Sequence, residues 1–172
     1  VVALASPVVA WDAAKQKNLG QDANKMQWYI LDYGKDENGV PFAVSRKYYT
    51  NTAIKNETIE LLMSKYNIDP KIANGLYVTE YHYEYTPDGT QYAVTSLVHY
   101  DMVGREIHST ISEGENKEFS SVAAAGKKHA VYQGAALALG KAPTAAQSTK
   151  TATTTKKSST VPAKRVVRAK KK

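Results

Sequence analysis

The chain contains no cysteine. That excludes a disulfide framework, a lipid-modified N-terminal cysteine and any thiolate nucleophile or thiolate metal site. Acid is absent from its C-terminal end: all 16 Asp and Glu precede residue 141, with 13 of the 23 Lys and Arg, so residues 1–140 carry a net −3 and residues 141–172 a net +10. The pI of about 9.4 therefore belongs to a tail, and it gives no reason to read the whole chain as a nucleic-acid binder. No apolar run reaches the ~20 residues that a membrane-spanning helix needs, so no transmembrane helix is expected in the mature protein. Neither a Gly-x-Ser-x-Gly nor a phosphate-loop pattern occurs. Phenylalanine is scarce, with two residues, whereas tyrosine is abundant, with 12.

The two ends differ in kind from the middle. Val1 to Ala10 is small and apolar and closes on Val8-Val9-Ala10 directly before Trp11 and Asp12, which reads as a signal-peptide remnant and implies export to the periplasm or cell surface. Residues 11–25 read as an N-terminal linker. From Lys141 to Lys172 the chain is mostly Ala, Thr, Ser and Lys, with Pro143 and Pro162 and no aromatic residue. Such a segment cannot bury enough apolar area to offset the entropy of ordering, so a disordered basic tail is expected. Its Lys156, Lys157, Lys164, Arg165, Arg168, Lys170, Lys171 and Lys172 would hold an anionic polymer by counterion release, whether nucleic acid, teichoic acid, lipopolysaccharide phosphate or anionic lipid.

Residues 26–140 carry the pattern of one α+β domain. Met26 to Tyr33 is aromatic and branched, and Asn38-Gly39 after it signals a hairpin. In the second arm, Val40 to Tyr49, Pro41 cannot donate to a ladder and belongs at a strand start or edge; exposed as an edge, this arm would permit a homodimer. Asn56 is placed to cap a short helix over Glu57 to Tyr66, with Ile59, Leu62, Met63 and Tyr66 on one face. Leu76 to Thr86 alternates, which predicts Tyr77, Tyr81, Tyr83 and Tyr85 on one side and Glu80, His82 and Glu84 on the other. The Thr86-Pro87-Asp88-Gly89 turn pairs Thr86 with Thr90, Tyr83 with Ala93 and His82 with Val94. Gln91 to Tyr100, a turn at Asp101 to Gly104, and Arg105 to Ser112 extend the meander.

A helix over Val122 to Leu139, capped by Ser120 or Ser121, completes the pattern. It carries a smooth stripe of Gly126, Ala130 and Gly134, with Phe119, Val122, Val131, Leu137 and Leu139 for bulk. Gly140 stops it. The expected fold is an antiparallel meander sheet of about five to six strands, with a C-terminal helix packed on one face and one short inserted helix.

Few residues invite chemistry. His82, His99 and His108 lie on successive strands, as zinc ligands can across a sheet, and a small metal-dependent enzyme using them is one reading. Pairing Tyr100 with Arg105 would set His108 opposite Leu97 and stagger the imidazoles, so no metal and no cofactor is expected. Ser120 and Ser121 read as caps rather than nucleophiles. Tyrosine supplies large amphipathic contact area at low entropic cost. With few aliphatic residues to fill a thin sheet's core, the first reading is that tyrosine rings are buried there with their hydroxyls wet; if the face of Tyr77, Tyr81, Tyr83 and Tyr85 is left uncovered, it is a binding platform for protein, glycan or base.

Trp28-Tyr29-Ile30 in the opening strand, His99-Tyr100-Asp101-Met102-Val103-Gly104-Arg105-Glu106-Ile107 across the last turn, and the closing helix together resemble the bacterial surface-adhesin protein E-like domain over Met26 to Leu139. In that family the first strand bears a Trp-Tyr pair, and a Tyr-Asp-x-x-Gly-(Lys/Arg) turn leads into the last strand. The resemblance implies a curved antiparallel sheet with a helix across its concave face, and its founding member binds host extracellular-matrix and serum proteins. This chain departs from the family in lacking the cysteines that often pin the helix and in its insertion from Lys55 to Asn74. The expectation is a non-catalytic, exported, adhesin-like binding protein of the cell envelope or surface; a polyanion-binding protein acting through its tail is the alternative.

Overall fold

The hairpin expected around Asn38-Gly39 forms the middle of the sheet. In the computed structural model, which describes residues 11–143, β2 (Gln27–Lys35) and β3 (Pro41–Tyr48) pair antiparallel. In the turn between them the Asp36 carboxylate accepts the N–H groups of Asn38 and Val40, while Gly39 takes φ 78°. Pro41 heads its strand, where no ladder donor is required. The signal-peptide reading of residues 1–10 and the tail cations from Lys156 to Lys172 lie outside the described residues.

Strand order is β1-β2-β3-β4-β5-β6, all antiparallel, with β1 Lys17–Gln21, β4 Leu76–Tyr85, β5 Gln91–Asp101 and β6 Glu106–Ile111. A two-residue strand, β7 (Ser120–Ser121), pairs with the start of β5. Two sequence expectations are corrected here. Residues 11–25 are not merely a linker, since β1 joins the sheet and hydrogen-bonds to β2. The Val40 to Tyr49 arm is not an edge, because β3 lies between β2 and β4; the ends of the strand order are β1 and β6.

The closing helix, α3 (Ala130–Leu139), packs on β2 and β3. It is shorter than the Val122 to Leu139 expected. Gly126 sits at φ 86°, outside helical space, and residues 120–129 run instead as β7, a 3-10 turn at Ala123–Ala125, and irregular chain. Neither Ser120 nor Ser121 caps the helix: Ser121 Oγ accepts from the Ala124 N–H beside that short turn, and α3 is capped by His129, whose Nδ1 accepts from the Val131 N–H. Gly140 ends the helix in the left-handed conformation. Ala43, Tyr83, Tyr85, Val122, Val131, Ala135 and Ala138 form the core beneath it, whereas Phe119, expected to add bulk, is exposed. Each large apolar side chain buried here contributes about 1.5–3 kcal/mol.

Two helices, not one, fill the β3–β4 connection. Asn51 rather than Asn56 caps the first, α1 (Thr52–Tyr66), its side chain accepting from Ala53 and Ile54. Asp69 caps the second, α2 (Pro70–Ala73), with Pro70 in its first turn. Ile59 and Leu62 pack on Ala73 and Leu76. No helix among the described residues is long and apolar enough to cross a membrane.

Bulges set which side chains share a face. The β2–β3 and β3–β4 ladders place Trp28, Ile30, Ala43, Ser45, Lys47, Thr79, Tyr81 and Tyr83 on the side covered by α3, and Tyr29, Arg46, Tyr48, Glu80 and His82 on the other. The β4–β5 register differs by one from expectation: Tyr83 faces Val94 and Tyr85 faces Tyr92, with a further slip placing Ser96 opposite His82. The cause is a longer turn, in which the Thr86 N–H reaches Gln91 instead of Thr90.

Candidate functional site

The four tyrosines of β4 do not form a common platform. Tyr83 and Tyr85 are core residues, 3% and 1% exposed. The Tyr85 hydroxyl donates to the Val131 carbonyl at 3.0 Å, and Ser45 Oγ donates to the Tyr83 hydroxyl at 3.1 Å. Burial pushes both phenols up, so they stay neutral. Tyr81 is half-buried, lies parallel to Tyr83 with ring centroids 6.1 Å apart, and floors a cleft beside α3. Tyr77 is 43% exposed and belongs to the opposite face. The ladder slips between Leu76 and Val78, so Tyr77 has no cross-strand partner on β5 and its ring packs against Tyr48.

That opposite face is the open one. Tyr29 on β2, Tyr48 on β3 and Tyr77 on β4 make a row across three strands, with centroids 5.6 Å apart at each step and edge-to-face angles of 82° and 80°. Edge-to-face pairs set the positive rim of one ring against the negative face of the next. Each ring is thereby held in place, with Tyr77 exposed and Tyr29 and Tyr48 partly exposed. None of these three residues belongs to the clusters under α1 and α3.

A charged row runs beside it. Glu80, only 4% exposed, accepts from Arg46 Nε and from His82 Nε2, each at 2.8 Å, and the Arg46 guanidinium lies 5.7 Å from the centre of the Tyr100 ring. Burial alone would raise the Glu80 carboxyl. The His82 hydrogen bond and the Arg46 charge outweigh it and hold the group below the usual carboxylate range. Trp11 packs near His82, with ring centroids 6.4 Å apart. The result is an amphipathic surface with fixed rings, tyrosine hydroxyls and a clamped ion pair. Arg46 and Tyr48 were not singled out from sequence, and Tyr29 and Tyr100 were quoted for the family resemblance but not as surface contacts; the adjacent Tyr48-Tyr49 pair was the available signal, since neighbours on a strand must point to opposite faces.

The three strand histidines divide two and one. His99 and His108 pair directly across β5 and β6 with rings 6.4 Å apart, so His108 does not face Leu97. The turn closes on Asp101 and Arg105, and an extra residue enters β6 between Glu106 and His108. His82 lies on the other side of the sheet. His99 Nδ1 bonds Thr79 Oγ1 at 2.8 Å, which in turn bonds the Tyr49 hydroxyl, while His108 packs on Tyr66 and its buried Nε2 has no partner among the described residues. Among the described residues, no three His, Asp or Glu converge as a metal site would require. Compared with protein-family models, curated proteins and solved structures, the chain matches none.

Proposed function

We propose that this chain is a non-catalytic binding module, exported to the periplasm or cell surface, that recognises a protein or glycan partner through the open Tyr-rich face of its sheet. The observation that carries this reading is the Tyr29–Tyr48–Tyr77 row, whose rings brace one another at 5.6 Å on a face that neither α1 nor α3 covers. Rings pre-positioned in this way lose little entropy on binding, and their hydroxyls lend hydrogen bonds to a polar partner. Glu80 is bound up by Arg46 and His82, an arrangement suited to shaping a surface more than to shuttling protons. The adhesin-like reading of the sequence, with its Tyr-Asp-x-x-Gly-Arg turn, points the same way.

The test is binding of the full chain to a panel of extracellular-matrix proteins and envelope glycans, repeated with Tyr48→Ala and Tyr77→Ala. A partner should appear whose affinity falls at least about tenfold in both variants, as for anchoring aromatics at interfaces. Unchanged affinity in folded variants would move recognition off this face.

A second reading rests on charge alone: the ten bases and no acid of residues 141–172 suit a polyanion. It requires binding that weakens steeply with salt and disappears in a chain ending at Gly140.

A further inference from the structure

On the covered side of the sheet, a cavity of about 310 Å³ lies between α1 and α3, lined by Met26, Trp28, Lys47, Ile54, Tyr81 and His129 among others. Its chemistry is one-sided. The Lys47 ammonium lies 5.0, 5.4 and 5.9 Å from the ring centres of Tyr49, Tyr81 and Trp28. No carboxylate pairs with it among the described residues. The one acid lining the cavity, Asp22, is already committed: Oδ1 accepts from the N–H groups of Asn24 and Met26 and Oδ2 from Trp28 Nε1, each at 2.9 Å. His129 uses Nδ1 to cap α3, so its remaining ring nitrogen carries the N–H.

Lys47 is half-buried and is faced by aromatic rings and by the Tyr81 and Tyr49 hydroxyls, all neutral, so an anion would add a charge-assisted bond that none of these groups supplies. Burial draws the Lys47 amine down, but the Tyr81 and Tyr49 hydroxyls beside it outweigh that and the net direction is upward. The group is therefore an ammonium at neutral pH and not a nucleophilic amine. Around it the walls are apolar and aromatic, Trp28 and Tyr81 presenting ring surface 5.5 Å apart. Outward, the cavity shares Asp22, Asn24, Trp28 and His129 with a wider cleft of about 810 Å³ that has Lys127 and Lys128, both exposed, in its wall.

We propose that this cavity is a binding site for a small carboxylate-bearing ring compound, with Lys47 as the counter-ion of the carboxylate and Trp28 and Tyr81 packed against the ring. The volume is at the small end for ligand sites, which suits a single ring and leaves any longer chain to the outer cleft. The cation at the floor and the apolar walls each select one half of such a ligand. This site lies on the sheet face opposite the Tyr29–Tyr48–Tyr77 row and stands or falls independently of it.

The probes are galacturonate, its neutral counterpart galactose, and benzoate, titrated into the full chain. The Lys47 ε-methylene protons adjoin an ammonium that lies 5.0–5.9 Å from three ring centres and report on the site directly in the wild-type protein. Saturable movement of those signals with a carboxylate, with galactose at least about tenfold weaker, is the result expected for loss of one charge-assisted hydrogen bond. Preference for galacturonate over benzoate identifies a sugar acid as the source, and the reverse an aromatic acid. Lys47→Met should abolish the carboxylate preference, with circular dichroism confirming the fold. Unmoved Lys47 signals at saturating carboxylate, or galactose binding as well as galacturonate, would overturn the proposal, whatever the variant does.

Discussion

The Tyr85 hydroxyl occupies the space that a side chain on Gly134 would need: a Cβ at residue 134 would lie 2.5 Å from that oxygen and 2.8 Å from the Ala43 methyl. Helix α3 is thus pressed onto β3 and β4 through a glycine that has ordinary helical geometry. Its role is close approach rather than backbone freedom.

Gly134→Ala follows from that contact with an unusual sign. In an exposed helix the change would stabilise by about 1 kcal/mol. Here it must push apart two buried partners, and overpacking of this kind costs about 1–3 kcal/mol. We expect a net loss of up to about 2 kcal/mol in urea unfolding. Equal or higher stability would mean that α3 can lift from the sheet at little cost.

His99 makes the fold sensitive to acid. Burial, with the neighbouring His108 and Lys47 adding to it, lowers its pKa from 6.5 to about 4. Between those values the unfolded chain binds the proton and the folded chain does not. Stability from this group is therefore fully present above about 6.5, falls as pH drops, and is lost by about 4. The integrated effect is on the order of 3 kcal/mol. Thermal melts of the wild type should decline through this window, and His99→Gln should flatten the decline. A directly observed His99 titration midpoint near 6.5 would refute the assignment.

The strands and their turns were legible from alternation and from Asn38-Gly39, Asp88-Gly89 and Gly140, because these signals are local. The side of the sheet for Tyr77 was not. Strict alternation groups it with Tyr81, and only the slip of β4 against β5 sends it to the other face, a slip that depends on partner strands and turn lengths. The same cause displaced His108 from Leu97 to His99. Asn51 and Asn56 are equal as caps in composition, and the choice fell to the site that lets Ile54 reach the Trp28 cluster. Lys47 looked like any strand lysine, because nothing in its neighbourhood along the chain announces Trp28 and Tyr81 on flanking strands.

Glu80 and Arg46 should behave as a unit. The carboxylate is 4% exposed and its partner sits 2.8 Å away. Glu80→Leu alone leaves Arg46 without its counter-charge and is expected to cost about 2–4 kcal/mol, toward the low end because Arg46 reaches solvent. Adding Arg46→Met should recover most of that loss. If the two costs simply add, the pair is not coupled and the charged row is an accident of packing.

Tyr48 is the keystone of the open face, since Tyr29 and Tyr77 each lean on it at 5.6 Å. Double-mutant cycles on stability should give a coupling of about 0.5–1.5 kcal/mol for Tyr29 with Tyr48 and for Tyr48 with Tyr77. In a wild-type Tyr48 background, Tyr29 with Tyr77 should give little, because they touch only through the middle ring. Tyr48→Phe should preserve both couplings, the contacts being ring edge against ring face, while Tyr48→Ala should loosen both neighbours at once. On the proposed function, Tyr48→Ala therefore weakens partner binding more than Tyr77→Ala does, although Tyr77 is the more exposed ring. The reverse order would place the partner on the Tyr77 rim of the sheet instead of across the row.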